Sequence, residues 1–286
     1  MCRKPLRTAT ALTALLGSFA LAAPASAWPF APKPAASTPP AAAPASKATT
    51  PADDGPKKAS PQERAAAERM DPLARSVFWA HEANQDLTDA QAWISLAASL
   101  RALGRYQEAG ESVDKVLVLY PANLDALLEK ARDHIGAGKG FYALDPLRKA
   151  EAAAPRDWRV YSLMAVAREQ NRQPDEAHAA YEQALVLSPD NPGVLSNLGL
   201  WYASHGQRAE AETYLRRAAA QPTATAQERQ NLALVLGMEG RLAEAERLMR
   251  EDLPPDVADA NLAYLREASK TGGHGLLPPG PMAQAR

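Results

Sequence analysis

Small and apolar residues return at helical spacing through the middle of this chain. Trp93, Leu96, Ala97 and Leu100 make one such face and Ala109 and Val113 the next, with Pro121 closing the unit. The whole set then recurs 34 residues on. Pro121, Pro155 and Pro189 keep that interval, as do Trp93, Leu127, Tyr161 and Leu195, and Ala109, Ala143, Ala177, Ala211 and Ala245. The spacing predicts paired helices in units of about 90–123, 124–157, 158–191, 192–225 and 226–254. The last unit breaks at Pro254 and Pro255.

The period and pattern resemble those of the tetratricopeptide repeat, W-x₂-L-G-x₂-Y, then A-x₃-F, then P. The fourth unit follows it through Leu195, Leu198, Gly199, Tyr202, Ala211 and Leu215, with its proline one place early at Pro222. Helix-on-helix packing explains the pattern. Ala97, Ala131, Ala165, Gly199 and Ala233 on the first helices meet Ala109, Ala143, Ala177, Ala211 and Ala245 on the second. Small residues at a crossing let backbones approach and ridges enter grooves. Gly104, Gly138, Gly206 and Gly240 fall between the helices, where a left-handed residue ends a helix cheaply. The expected fold is an all-α superhelical solenoid of five helix pairs over residues 61–270, with a capping helix at each end. Asp71 and Pro72 open the first, which runs to Asn84 and turns Leu73, Val77 and Phe78 onto the first pair. Asp256 caps the other, at 257–269, which covers the fifth pair with Val257, Ala260, Leu262 and Leu265.

The termini are of different composition. Arg3, Lys4 and Arg7 precede an uncharged Ala- and Leu-rich run, and Ala25, Ser26 and Ala27 supply the small residues of a signal-peptidase site. Residues 1–27 therefore read as a cleaved signal peptide; an anchor needs about 20 apolar residues and would not end in such a site. Removing Arg3, Lys4 and Arg7 from 32 Lys and Arg leaves 29 against 33 Asp and Glu, a formal charge of −4. Cys2, the one cysteine, leaves with the signal, so the mature chain has no thiol and no lipidation cysteine after the apolar run. Residues 28–60 are Pro-, Ala-, Ser- and Thr-rich and read as an extended tether. At roughly 3.1 Å per residue it reaches roughly 100 Å. Residues 271–286 read as a second disordered tail. The expected location is the periplasm or another secreted compartment, with no membrane span in the mature form and attachment to the outer membrane only through partners. The near-neutral balance points away from nucleic acid.

Nothing in the chain spells catalysis. The five histidines, at 81, 134, 178, 205 and 274, form no pair at metal-binding spacing. Gly136-x-Gly138-x-Gly140 falls at an inter-helix turn and lacks the Lys-Ser/Thr of a phosphate loop. Ser196 and Ser204 lack a nucleophile-elbow context. The expectation is a non-enzyme with no cofactor and no metal, acting through protein partners. In tetratricopeptide solenoids the first helix of each pair lines the concave face. On that basis Val166, Leu200 and Leu234 form an apolar ladder, Ile94 and Leu128 flank it, and Arg101, Arg132 and Arg159 add positive charge toward the N-terminal half. Such a groove suits an amphipathic or extended segment with apolar side chains and a carboxylate. The same residues equally fit half-buried helix contacts with no ligand. Ile94 and Ala98 stand where chaperone adaptors that grip acidic C-termini carry Lys and Asn, which argues against that mode.

The last unit carries a more specific likeness. Residues 231–237 (NLALVLG), 240–246 (GRLAEAE), Asp252 to Pro255 and 261–266 (NLAYLR) follow in an order that resembles the C-terminal part of the TadD-like tetratricopeptide family of tight-adherence (Flp) pilus assembly. The resemblance implies an accessory factor of a type IV pilus or type II-like secretion machine, acting in the periplasm or at the outer membrane on its secretin. The family is commonly lipidated, and this chain has no cysteine at the cleavage site. The alternative is a general periplasmic scaffold for other envelope or polysaccharide assembly.

Overall fold

The computed structural model describes residues 58–270. Residues 1–57, which take in the expected signal peptide and most of the expected tether, and the expected tail 271–286 lie outside the described residues. Among those described there are thirteen helices and no strand. Five pairs form the array: α3 (Ala90–Ala102) with α4 (Tyr106–Leu119), α5 (Leu124–Gly136) with α6 (Gly140–Ala153), α7 (Trp158–Gln170) with α8 (Pro174–Leu187), α9 (Pro192–Ser204) with α10 (Arg208–Ala219), and α11 (Ala226–Met238) with α12 (Leu242–Asp252). Before them stand α1 (Pro61–Ala67) and α2 (Pro72–Gln85), and after them α13 (Pro255–Lys270).

Each pair is held where its small residues cross. Ala97, Ala131, Ala165 and Ala233 are fully buried, as are Ala109, Ala143, Ala177, Ala211 and Ala245. At Gly199 a Cβ would lie 2.7 Å from Leu215 Cγ and 3.2 Å from the Ala211 carbonyl oxygen, so this crossing has no room for a methyl group. The larger apolar side chains, among them Leu127, Leu147, Leu195 and Leu236, fill the space between pairs.

Two further periodic devices shape each unit. The first helix of every pair has a side-chain cap: Asp89, Asn123, Asp157, Asn191 and Thr225 each accept an N–H from the first turn. Thr225 also forms a capping box with Glu228. These caps are 34 residues apart. The first helices end alike, with N–H groups of Arg105, Lys139, Gln173, Gln207 and Arg241 bonding back five residues at 2.8–3.0 Å. The residue before each is left-handed: Gly104, Gly138, Gly206 and Gly240 at φ 71–83°, and Arg172 at φ 59°. The second helices α4, α6 and α8 stop two residues ahead of Pro121, Pro155 and Pro189.

The ends correct the sequence reading. Lys58, Ala59 and Ser60, assigned to the tether, are tied down. Ser60 caps α1, the Ala59 N–H donates to the buried Glu82 carboxylate, and Lys58 pairs with Asp86 at 2.5 Å. The short α1, not foreseen, covers Trp79, with Ala67 buried and the Arg64 guanidinium 5.5 Å from the ring centre. That rotates α2: Trp79 and Ala83 face inward, while Leu73 and Val77, expected to cover the first pair, are 59% and 64% exposed. At the other end α13 begins at Pro255, so Asp256 lies in its first turn rather than at its cap. Ala258, Leu262 and Leu265 cover the fifth pair, Val257 is half-buried and Ala260 is exposed.

Arg172 occupies the one turn position of the five that has a Cβ, where a left-handed backbone is costly. Arg172→Gly should raise stability by about 0.5–1 kcal/mol, read as a higher thermal midpoint. Ala165→Leu should do the reverse, overpacking a crossing at a cost of about 1–3 kcal/mol. A midpoint unmoved by Ala165→Leu would mean the crossing does not set the helix separation.

Candidate functional site

The first helices α3, α5, α7, α9 and α11 carry every residue singled out for the inner face. In the N-terminal half the arginines do not make a basic surface, contrary to expectation. Arg101 donates Nε–H to Glu129 at 2.7 Å, and Arg132 reaches the other Glu129 oxygen at 3.1 Å. Arg159 pairs with Asp157 at 2.6 Å and spans to Asp125 of the preceding unit at 3.0 Å. Arg101 and Arg132 thus share the single Glu129 carboxylate, and Arg159 is flanked by two, Asp157 and Asp125. Glu129 is 3% exposed, so Arg101 and Arg132 compensate a charge that would be prohibitive alone.

Asp133 completes this buried cluster with the opposite behaviour. Its carboxyl has no hydrogen-bond partner, and Arg101, 3.8 Å away, is already engaged by Glu129. Burial, reinforced by the Glu129 charge, pushes Asp133 up to about 9. Burial also pulls the Arg132 guanidinium down, with Glu129 opposing it.

The C-terminal half is apolar. Val166 and Leu200 are half-buried, and so is Ile94 in the first unit. Leu128 and Leu234 are core residues at 0% and 4% exposure; there the contact reading prevails over an open groove. Buried amides stitch successive first helices together, Asn197 donating to Ser162 at 3.3 Å and Asn231 to Ser196 at 2.9 Å. The motif returns in α13, four residues early: Asn261, Leu262 and Ala263 repeat Asn231, Leu232 and Ala233. The capping helix is therefore the first helix of a sixth unit, and Tyr264 takes the place of Leu200 and Leu234, packing in the same cluster. An offset of 30 instead of 34 hid it from a fixed period.

A second cluster, also missed, sits between α8, α9 and α10. Trp201 donates Nε1–H to Glu169 at 2.9 Å and stacks on His205, with ring centres 4.2 Å apart. His178 lies 2.8 Å from the Tyr202 hydroxyl, and Tyr202 stacks on Tyr214 at 5.3 Å. Trp201 holds the position where other first helices carry Ser99, Asp133, Ala167 and Val235. α7 and α9 approach each other along less of their length than the other neighbouring first helices do. Among the described residues no group of three His, Cys, Asp or Glu is placed to hold a metal ion. No helix among them is long and apolar enough to cross a membrane.

Asp133 yields a pH prediction. It is protonated in the fold and ionises in the unfolded chain near its ordinary value of about 3.9. Its contribution is therefore complete below about pH 4 and declines as pH rises towards about 9. Asp133→Asn, which keeps the shape and cannot ionise, should melt above the parent at about pH 8, with the gap closing toward about pH 4. A gap constant across that range would refute the assignment.

Comparison with known proteins agrees with this architecture. Family models described as tetratricopeptide repeat match residues 90–123, 158–191 and 193–220. The solved thermophilic tetratricopeptide protein TTC0263 of Thermus thermophilus is 26% identical, with a TM-score of 0.56, over 62% of this chain and 99% of that one. A chain of the solved APC/C hetero-tetramer Cut9-Hcn1 is 18% identical at a TM-score of 0.56, over 70% of this chain and 39% of that one, a likeness of fold alone. No curated protein matches the chain. The 34-residue register, the helix pairs with their small-residue crossings and the three matched repeats show that this chain carries tetratricopeptide repeats and folds as a tetratricopeptide-repeat solenoid, an architecture that mediates protein–protein contacts.

Proposed function

We propose that this solenoid is a non-enzymatic scaffold for assembly or localisation of a type IV (Flp/Tad) pilus or type II-like secretion machine. It acts in the periplasm after loss of the signal segment, and its partner is the machine's secretin. The C-terminal residues 231–266, which resemble the TadD-like family, support the choice of machine. The observation that carries the binding mode is the polarity of the inner face. Val166, Leu200 and Tyr264 offer half-buried apolar positions along one side, while the arginines of the other half are already paired. A partner segment with apolar side chains at helical or extended spacing gains most there, and it needs no carboxylate.

Leu200→Glu tests this directly, because the partner must desolvate the new charge. Capture of the secretin from envelope extracts should fall at least about tenfold, the equivalent of about 1.4 kcal/mol. A melt of the variant, run alongside, should show folding retained. Secretin capture at the parental level by a folded Leu200→Glu protein would remove this surface from the interaction.

A further inference from the structure

Two imidazoles lie on the Trp201 indole. His205, the residue that ends α9, stacks on it with ring centres 4.2 Å apart, and His178 of α8 lies tilted against it at 4.8 Å. His205 Nδ1 is 2.8 Å from the Trp201 carbonyl oxygen. A carbonyl only accepts, so Nδ1 carries the hydrogen and Nε2 is the bare nitrogen of the neutral ring. The Ser204 hydroxyl, 3.2 Å from the same Nδ1, donates its own hydrogen to that carbonyl at 2.8 Å and leaves the assignment unchanged. Nε2 in turn faces Glu169 Oε1 of α7 at 3.7 Å, while Glu169 Oε2 accepts the indole Nε1–H at 2.9 Å. One carboxylate of the third unit thus meets two rings of α9 and receives a hydrogen from only one of them. Both side chains stay in contact with water, His205 at 30% exposure and Glu169 at 38%, so a proton can reach the pair.

We propose that His205 is a proton-operated latch between the third and fourth units. When the ring takes up a proton at Nε2, it gains an N–H facing Glu169 Oε1, and a charge-assisted pair forms beside the indole bond. The same positive charge then lies on the Trp201 ring, whose quadrupole attracts it. When the proton leaves, a lone pair faces the carboxylate and the latch opens. Histidine is the side chain whose ordinary charge change falls between pH 5 and 8, so the latch closes as pH falls through that range and opens as it rises. Among the described residues no Lys or Arg is paired with Glu169, which leaves the carboxylate available to the imidazolium. The other titratable groups around the cluster come from α8, α9 and α10. His178 Nε2 lies 2.8 Å from the Tyr202 hydroxyl and 3.9 Å from Glu182, and Tyr202 stacks on Tyr214 with the Glu210 charge nearby. Tyr181 of α8 is held un-ionised by burial and by the Glu169 charge. The junction is the one where α7 and α9 approach least, so a single added link weighs more here than beside the buried Arg101–Glu129 pair. Val166 and Leu200 lie on the two helices so joined, and a segment bound across both would feel the latch.

Nitrogen-15 spectra of the full-length protein at about pH 8 should show neutral His205 with its hydrogen on Nδ1. Amide exchange reads the latch itself, in an Asp133→Asn background that removes the other pH dependence. Exchange in α9, corrected for the intrinsic effect of pH, should be at least about threefold slower at about pH 5.5 than at about pH 8. His205→Phe keeps a ring on the indole, cannot take a proton, and should abolish that difference. Glu169→Gln should reverse it, because its carbonyl still accepts from the indole while its amide donates to the bare Nε2 and not to the imidazolium. A neutral His205 with its hydrogen on Nε2 overturns the proposal. So does a pH difference that survives His205→Phe, as it would if His178 carried it, or one that keeps the parental sense in Glu169→Gln.

Discussion

The separation of the two helix axes within each pair governs everything else in this molecule. It is set by ten positions, nine alanines and Gly199, at which no side chain larger than a methyl group stands between the backbones. Close approach puts many atoms within dispersion contact and lets the flanking leucines reach across to the next pair. A widened crossing would loosen its own pair and also tilt the next, since each pair is oriented by the last. The inner face is in that sense a product of the crossings: the orientation of each first helix follows from the small residues packed inside its own pair.

Charge plays the complementary part. A surface that carries Arg101, Arg132 and Arg159 in sequence is electrostatically quiet in the fold, because Glu129, Asp157 and Asp125 stand within 3.1 Å of them. Glu129 itself is tolerable only because two guanidinium groups share it. The pairing runs between neighbouring units, Arg101 on α3 to Glu129 on α5 and Arg159 on α7 to Asp125 on α5, so the same groups that silence the surface also fix the register of the stack. The apolar half relies on buried amide–hydroxyl bonds instead, Asn197 to Ser162 and Asn231 to Ser196.

What the sequence made legible was whatever repeats without slippage. The crossings, the first three repeat prolines and the glycines at four of the five turns obey the 34-residue interval, and the helix pairs are where that interval puts them. The cap residues Asp89, Asn123, Asp157, Asn191 and Thr225 obey it too, yet their chemical variety conceals the pattern from a search for identical residues. Beyond the strict period legibility ends. Arg172 shares no feature with glycine except its place, and Asn261 to Ala263 is displaced by four residues. The orientation of α2 depended on α1, whose seven residues are too few for a periodic signal. The arginines were visible and the pairs that join units were not, because Arg101 with Glu129 and Arg159 with Asp125 are 28 and 34 residues apart and meet only through the fold.

The wedge at Trp201 has a mechanical consequence. In a stack where each unit touches only its neighbours, a pull applied at the two ends passes through every seam in series, and the seam with the least lateral bonding yields first. Between α3 and α5 the link is a buried ion pair, and between α11 and α13 the chains lie so close that a Cβ on Gly237 would sit 2.3 Å from Leu265. Between the third and fourth units the links are the Trp201 indole held by Glu169, the Asn197–Ser162 bond of 3.3 Å, the His178–Tyr202 bond of 2.8 Å and the packing of Leu198 into the core of the third unit. This is the junction of the array with the fewest close backbone approaches, and a pull on its two ends would meet the least lateral resistance here.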